Sequence, residues 1–356
     1  MALLTTTIGS YPKPEYVPVP DWFQAESTVI KDPTAAYEKY LRSRQGEVEV
    51  EELLDRATHE AVKDQVRVGI DVPTDGEIRR ENYIHYHCRH LKGIDFSRLT
   101  EKMMRSGSWI GSVPTIVEPI QVKDHFLARD WQMAQSVTDR PIKITVPGPM
   151  TITDSLADAH YRDEKRLGQD LARALNAEIL QLTEAGCRWI QVDEPLFARE
   201  PDKALAYGVE NLERCFHGVR GDVKRVMHMC CGYPDVIDNL DFPKASPEVY
   251  FRLAPSLNDA KIDAVSIEDA HRHNDLSLLE HFKNTTVILG VIAIARSRVE
   301  SAEEITARLK EALNHIDAKR LMAAPDCGLG MLNRETVLVK LKNMVTAAKN
   351  LGPKNG

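Results

Sequence analysis

Apolar positions fall along this chain in two rhythms. Short apolar runs recur, and between most of them lie longer stretches whose apolar residues repeat at helical spacing. The stretch from Glu47 to Gly69 is the clearest of the second kind, with Val50, Leu53, Leu54, Ala57, Ala61, Val62, Val66 and Val68 on one face. Further helices are predicted over about 163–185, 203–217, the stretch after Ser246-Pro247, 276–283, 301–316 and 334–351. The helix at 301–316 opens with Ser301-Ala302-Glu303-Glu304, a cap residue with a Glu three positions on. The short runs read as strands at 3–10, 70–75, 142–146, 189–192, 225–229, 264–267, 286–292 and 321–324.

Strands that alternate with helices imply a parallel sheet. Eight such units predict a closed (β/α)8 TIM barrel, spanning residues 1–356 as one domain. Residues 78–139 read as a long insertion after strand two, a lid over the barrel mouth, and 11–46 as an excursion over the top. A doubly wound dinucleotide-binding sheet would need a Gly-rich turn after an early strand, and Gly9-Ser10-Tyr11-Pro12 is not one.

Composition narrows the partners. The 356 residues carry 46 Lys and Arg against 53 Asp and Glu, a net charge of −7, with no basic stripe for nucleic acid. No apolar run approaches the roughly 20 residues of a membrane span. No basic flank leads an apolar core at the N-terminus, so no signal peptide is expected. Six scattered cysteines do not make a disulfide framework, and a reducing cytoplasm is the expected compartment.

Chemistry-bearing residues gather at strand ends, where a barrel builds its active site. His228 and Cys230 end strand five, Glu268 ends strand six and Cys327 ends strand eight. His, Cys, Glu and Cys are donors that zinc accepts, and four would saturate a tetrahedral ion. Zinc with two thiolates suits the capture of a substrate thiol, because a coordinating thiol is deprotonated outright. An HxC pair on a strand is often mere core packing. Three strand ends of one barrel converging on the same donor types favour the metal. Cys231 points to the other face of its strand and reads as packing. Glu77 and Asp193 end strands two and four and could meet one ammonium group, while Ser10 and nearby backbone N–H groups could take a carboxylate.

These segments resemble the catalytic barrel of the cobalamin-independent methionine synthase family. Thr-Ile8-Gly9-Ser10-Tyr-Pro, Asp75-Gly76-Glu77, Pro147-Gly148-Pro149-Met-Thr-Ile and Ile-Gln-Val-Asp193-Glu194-Pro195 are similar to its first four motifs. His228-Met-Cys230, Ser-Ile-Glu268 and Pro-Asp326-Cys327-Gly-Leu are similar to its three zinc segments, in the same order. The resemblance covers nearly the whole chain, without the second, N-terminal barrel of the long members. It implies zinc held by His228, Cys230, Glu268 and Cys327, and homocysteine held by Ile8, Ser10, Glu77 and Asp193. It implies methyl transfer to the homocysteine thiol to form methionine.

Two departures bear on the methyl donor. The folate-using enzymes carry a tryptophan after the third-strand motif, where this chain has Met150-Thr151-Ile152-Thr153-Asp154-Ser155. They also carry an Asp and a proton-donating His after strand seven, where this chain has Ala293-Ile294-Ala295. The donor therefore reads as methyltetrahydrofolate or, favoured by both departures, a folate-independent carrier such as a methylated corrinoid. The competing reading is a thiol alkyltransferase or lyase of the epoxyalkane–coenzyme M type. That thiol has no ammonium, so Glu77 and Asp193 would have nothing to bind. The segment His85-Tyr86-His87-Cys88-Arg89-His90 reads mainly as packing of the lid, with donor contact as the other possibility and a second metal as a minor one.

Overall fold

The computed structural model describes residues 2–19, 33–104, 109–233, 236–240, 242 and 244–351. Ten strands are formed there: β1 (Leu4–Thr5), β2 (Leu91–Met104), β3 (Trp109–Val122), β4 (Lys143–Pro147), β5 (Ala157–Asp158), β6 (Trp189–Asp193), β7 (Lys224–Met229), β8 (Ala264–Ile267), β9 (Thr286–Ile292) and β10 (Leu321–Pro325). Seven of them make one curled, all-parallel sheet in the order β1-β10-β9-β8-β7-β6-β4. Helices pack outside it, notably Glu47–Val68, Glu164–Ala185 and Arg334–Asn350. The result is an α/β fold of TIM-barrel type.

The expected second strand is reduced to two isolated parallel bridges, Thr6 to Val72 and Thr74 to Lys143. Local chemistry explains the loss. Pro73 has no N–H to donate, although its carbonyl accepts from Lys143 N at 2.8 Å. The Gln65 side chain then takes over the pairing of Thr74. Its Oε1 accepts from Thr74 N at 2.9 Å and its Nε2 donates to Thr74 O at 3.0 Å. This segment thus links β1 on one side to β4 on the other.

Ile8, Val72, Val226, Ala264, Ile288, Met322 and Ala324 fill the space inside the sheet. The larger apolar cluster lies between sheet and helices. The capping box at Ser301 is present, with both reciprocal hydrogen bonds. Residues 78–139 contain a helix at Tyr83–Cys88, a long antiparallel hairpin of β2 and β3, and a helix at Leu127–Gln135. The hairpin is tied to the body through β5, where Thr115 pairs Ala157 and Ile116 pairs Asp158. Part of the 11–46 excursion lies outside the described residues, and Pro33–Ser43 within it is helical. No helix among the described residues is long and apolar enough to cross a membrane.

Candidate metal centre and the residues around it

His228 is on β7, Cys230 follows that strand and Cys327 follows β10. One ligand atom from each lies within 4.8 Å of the others. Ser266, the register partner of His228 on β8, is hydrogen-bonded to His228 Nδ1 at 3.0 Å. The other ring nitrogen, Nε2, is buried with no partner. An orphaned buried nitrogen is costly unless something binds it. The hydrogen bond between the two sulfurs, with His228 beside them, holds the Cys230 thiol well below its ordinary range and pushes Cys327 up. An imidazole nitrogen and two sulfurs this close together are a donor set that fits zinc.

Glu268 ends β8 but is not part of this group. Its Oε2 accepts from Tyr233 OH at 2.6 Å and from Cys231 N at 3.3 Å. Lys244 Nζ donates to both carboxylate oxygens, at 2.9 and 3.1 Å. Cys231 Sγ donates to the Tyr250 hydroxyl at 3.3 Å and faces away, as its place on the strand predicts. Asp326, next to Cys327, accepts backbone N–H bonds from Asp269, Ala270 and His271 and a ring bond from His271 Nδ1. A single buried carboxylate thereby fixes the turn after Glu268 to the strand that carries Cys327. Arg272 donates to Ala245 O at 2.5 Å, so its guanidinium braces the loop that carries Lys244.

Of the four residues expected to hold the substrate, Asp193 and Ser10 lie beside the residues of this centre. Asp193 is the register partner of His228 on the adjacent strand. Gln191 Nε2 donates to Asp193 Oδ1 at 2.7 Å and to Ile8 O at 2.9 Å, joining two of the four. Glu77 accepts from Thr145 Oγ1 at 2.6 Å and from Arg80 Nη1 at 3.3 Å. A Cβ on Gly9 would come within 2.5 Å of Glu77 Oε1, so glycine there lets the first strand lie against the carboxylate. A Cβ on Gly328 would strike Ser10 Oγ, which places Ser10 on the turn of Cys327. Burial pushes the Asp193 carboxyl up to about 7, opposed by His228 and reinforced by Glu77. Burial also raises Glu77, against the pull of Arg80. Two buried acids that both resist ionisation make a pocket that favours a cation.

Several participants escape sequence reasoning. Lys244 and Tyr233 sit in a loop with no periodicity. Gln191 falls in the strand pattern Trp189-Ile190-Gln191-Val192, where an inward polar residue was the available signal. Tyr83 comes from the 78–139 segment, and burial pushes its phenol well up. The histidines beside it pack on rings: His85 edge-on to Phe96, His87 edge-on to Phe126 and His90 stacked on Phe126. The stretch 150–155 lies in the helix Pro149–Ser155, whose first N–H groups bond Glu194. Ala293, Ile294 and Ala295 are buried.

A curled parallel sheet with an imidazole–dithiol group at its C-terminal strand ends and two buried acids defines an α/β enzyme with a candidate metal centre. Residues 3–350 match the catalytic domain of the cobalamin-independent synthases, and the chain belongs to that family, the homocysteine methyltransferases of the cobalamin-independent methionine synthase type. A methionine synthase of Saccharolobus solfataricus is 30% identical over 352 residues, covering 98% of this chain and 94% of its own. A B12-independent methionine synthase from Shewanella sp. W3-18-1, solved with selenomethionine, superposes with a TM-score of 0.82 at 29% identity, covering 98% of both chains. A putative vitamin-B12-independent methionine synthase from Listeria monocytogenes shares the fold, with a TM-score of 0.71 at 20% identity, covering 98% of this chain and 99% of its own.

Proposed function

We propose that this chain is a zinc-dependent enzyme that moves a methyl group to the thiol of homocysteine and releases methionine. One observation carries the reading: three zinc-compatible donors meet within 4.8 Å, and Asp193 is strand partner to one of them. His228, Cys230 and Cys327 would hold the zinc, with Glu268 as the remaining candidate donor. A zinc ion there would keep the substrate sulfur deprotonated at neutral pH and nucleophilic.

The chain's own residues do the rest. Asp193 and Glu77 take the substrate ammonium, whose charge offsets the cost of two buried acids. Ser10 and the backbone at Ile8 take the carboxylate. Together they would hold the amino-acid end of the substrate so that its sulfur reaches the His228, Cys230 and Cys327 group. The same pair of acids disfavours a coenzyme M type of thiol, which brings no cation.

As part of the same reading, the chain is a single (β/α)8 TIM-barrel domain in which the bridge segment at 70–75 stands for the second strand. Residues 78–139 are inserted after it as a lid over the mouth. The methyl donor is methyltetrahydrofolate or, in keeping with residues 150–155 and 293–295, a folate-independent carrier such as a methylated corrinoid. The compartment is the cytoplasm. The test is methionine formation from homocysteine by zinc-loaded protein, with methyltetrahydrofolate and methylcobalamin in parallel. Turnover with methylcobalamin alone supports the carrier, and turnover with the folate assigns the folate. No methionine from either overturns the reading.

A further inference from the structure

Glu77 has a backbone conformation that residues with a side chain rarely adopt. Its φ is 54°, in the left-handed region, directly after Gly76 at 73°. A non-glycine residue stays there only where its surroundings over-determine it. Asp75 Oδ1 accepts from Glu77 N at 3.1 Å, and Arg80 N donates to Glu77 O at 3.0 Å, closing a turn that folds Arg80 back onto the acid. The Arg80 side chain is 1% exposed. Its Nη1 donates to Thr145 Oγ1 at 2.7 Å and to Glu77 Oε1 at 3.3 Å, and its Nη2 lies 3.5 Å from Asp75 Oδ2. Thr145 Oγ1 in turn donates to Glu77 Oε1 at 2.6 Å. Both bonds to the carboxylate end on Oε1, and Oε2 accepts none among the described residues.

We propose that Arg80 is a positioning residue for the substrate ammonium: with Thr145 it fastens Glu77 through Oε1, holds it as an anion, and leaves Oε2 to receive the cation. The proposal rests on the reading of Glu77 given above. Burial favours the neutral acid, and Arg80 is the largest force against it. A guanidinium stays cationic at any pH of interest, so it is a fixed counter-charge. Its fork reaches three oxygens at once, which a lysine ammonium does not match. The other titratable groups that act on Glu77 are Asp75, Lys13, Asp193 from β6 and the Tyr83 phenol of the helix Tyr83–Cys88, and these are common to every variant below. Without Arg80, Glu77 takes up a proton near neutral pH and attracts an ammonium poorly.

The experiment compares homocysteine with 4-mercaptobutanoate, the same thiol acid without its amino group. Both are titrated by calorimetry into zinc-loaded, full-length wild type, Arg80→Met, Arg80→Lys, Thr145→Val and Glu77→Gln, from about pH 6.5 to about pH 8.5. The ratio of the two affinities isolates the ammonium, because capture of the thiol is common to both ligands. In Arg80→Met the ratio is expected to fall about tenfold or more at the low end and to recover as pH rises, since Glu77 then ionises unaided. Arg80→Lys keeps most of the ratio. Thr145→Val follows the trend of Arg80→Met by a smaller amount, and serves if Arg80→Met does not fold. Glu77→Gln lowers the ratio at every pH. A loss in the Arg80 and Thr145 variants that is constant with pH, or that weakens both ligands alike, overturns the role of Arg80 while Glu77→Gln still reports the ammonium site. A wild-type ratio in Glu77→Gln overturns the ammonium site, and the role of Arg80 with it.

Discussion

The amide of Gln191 donates to Asp193 Oδ1 at 2.7 Å from two residues back on the same strand. Its same nitrogen donates to Ile8 O at 2.9 Å. Gln191 therefore ties the acid proposed to bind the substrate ammonium to the first strand, which carries Ser10. Replacing Gln191 by Leu keeps the bulk and removes the tie. Leaving a buried hydrogen-bond acceptor unpaired costs about 1–3 kcal/mol. The expected outcome is a homocysteine KM raised about tenfold with kcat changed far less, since binding and not chemistry is touched. An unchanged KM would remove Asp193 from substrate recognition.

The three sulfurs near the centre provide an internal control. Cys230 and Cys327 face each other across the donor group, while Cys231 Sγ donates to Tyr250. Cys230→Ser and Cys327→Ser should each cut bound zinc from one equivalent to near none under mild chelation. Cys231→Ser should keep the full equivalent. Metal analysis after desalting decides it, and loss of zinc from Cys231→Ser would mean that the assignment of faces on this strand is wrong.

Much of this was legible because burial and chemistry share one period. The strands β6 to β10 are apolar runs bounded by turns, and their ends carry the His228, Cys230 and Cys327 donors. The same rule of strand ends points to Asp193, Glu77 and Ser10 as substrate candidates, while Ile8 follows from the family resemblance alone. The second strand was overcalled because the pairing of Thr74 is made by the side chain of Gln65, nine residues back in a helix, and no periodicity reports that. The β2–β3 hairpin was missed because Pro114 and Pro119 interrupt β3, and proline inside a run argues against a strand. Lys244 was invisible for another reason. Its role comes from contacts with Gly232, Tyr233 and Glu268, which only the folded chain brings together.

The Gln65–Thr74 pairing makes a prediction about the seam of the sheet. Gln65 is fully buried and its amide satisfies the N–H and C=O of Thr74, with its Oε1 also accepting from Thr7 Oγ1 at 2.6 Å. Gln65→Leu would leave two polar groups of Thr74 buried and unpaired, and Thr7 Oγ1 with only its longer bond to Thr74 Oγ1. Each costs about 1–3 kcal/mol, partly relieved by water entry. The variant should lose about 2–5 kcal/mol of stability in urea unfolding, more than Gln65→Glu at low pH, where the protonated acid retains a donor. A loss of under about 1 kcal/mol would mean that this seam contributes little.

Lys143 gives a stability profile whose sign is fixed by its burial. It lies on β4 inside the sheet, fully buried, with no hydrogen-bond partner for Nζ. Burial pushes its ammonium down to about 7, with Asp193 opposing. In the unfolded chain a lysine titrates at about 10.4. Between those two values the unfolded state binds more protons than the folded one, so folding stability rises with pH across that window. Below the folded value both states are charged and the full cost of a buried cation is present. Lys143→Met keeps the volume and removes the charge. Its stability advantage over the wild type should be largest near pH 6 and should shrink steadily toward pH 10, by up to about 1.4 kcal/mol per pH unit. Urea melts of both proteins at a series of pH values measure the gap. A gap that stays constant would mean that the folded protein keeps Lys143 charged, paired with Asp193 through the whole range, and the lysine would then be a counter-charge in the substrate pocket instead of a neutral amine beneath it.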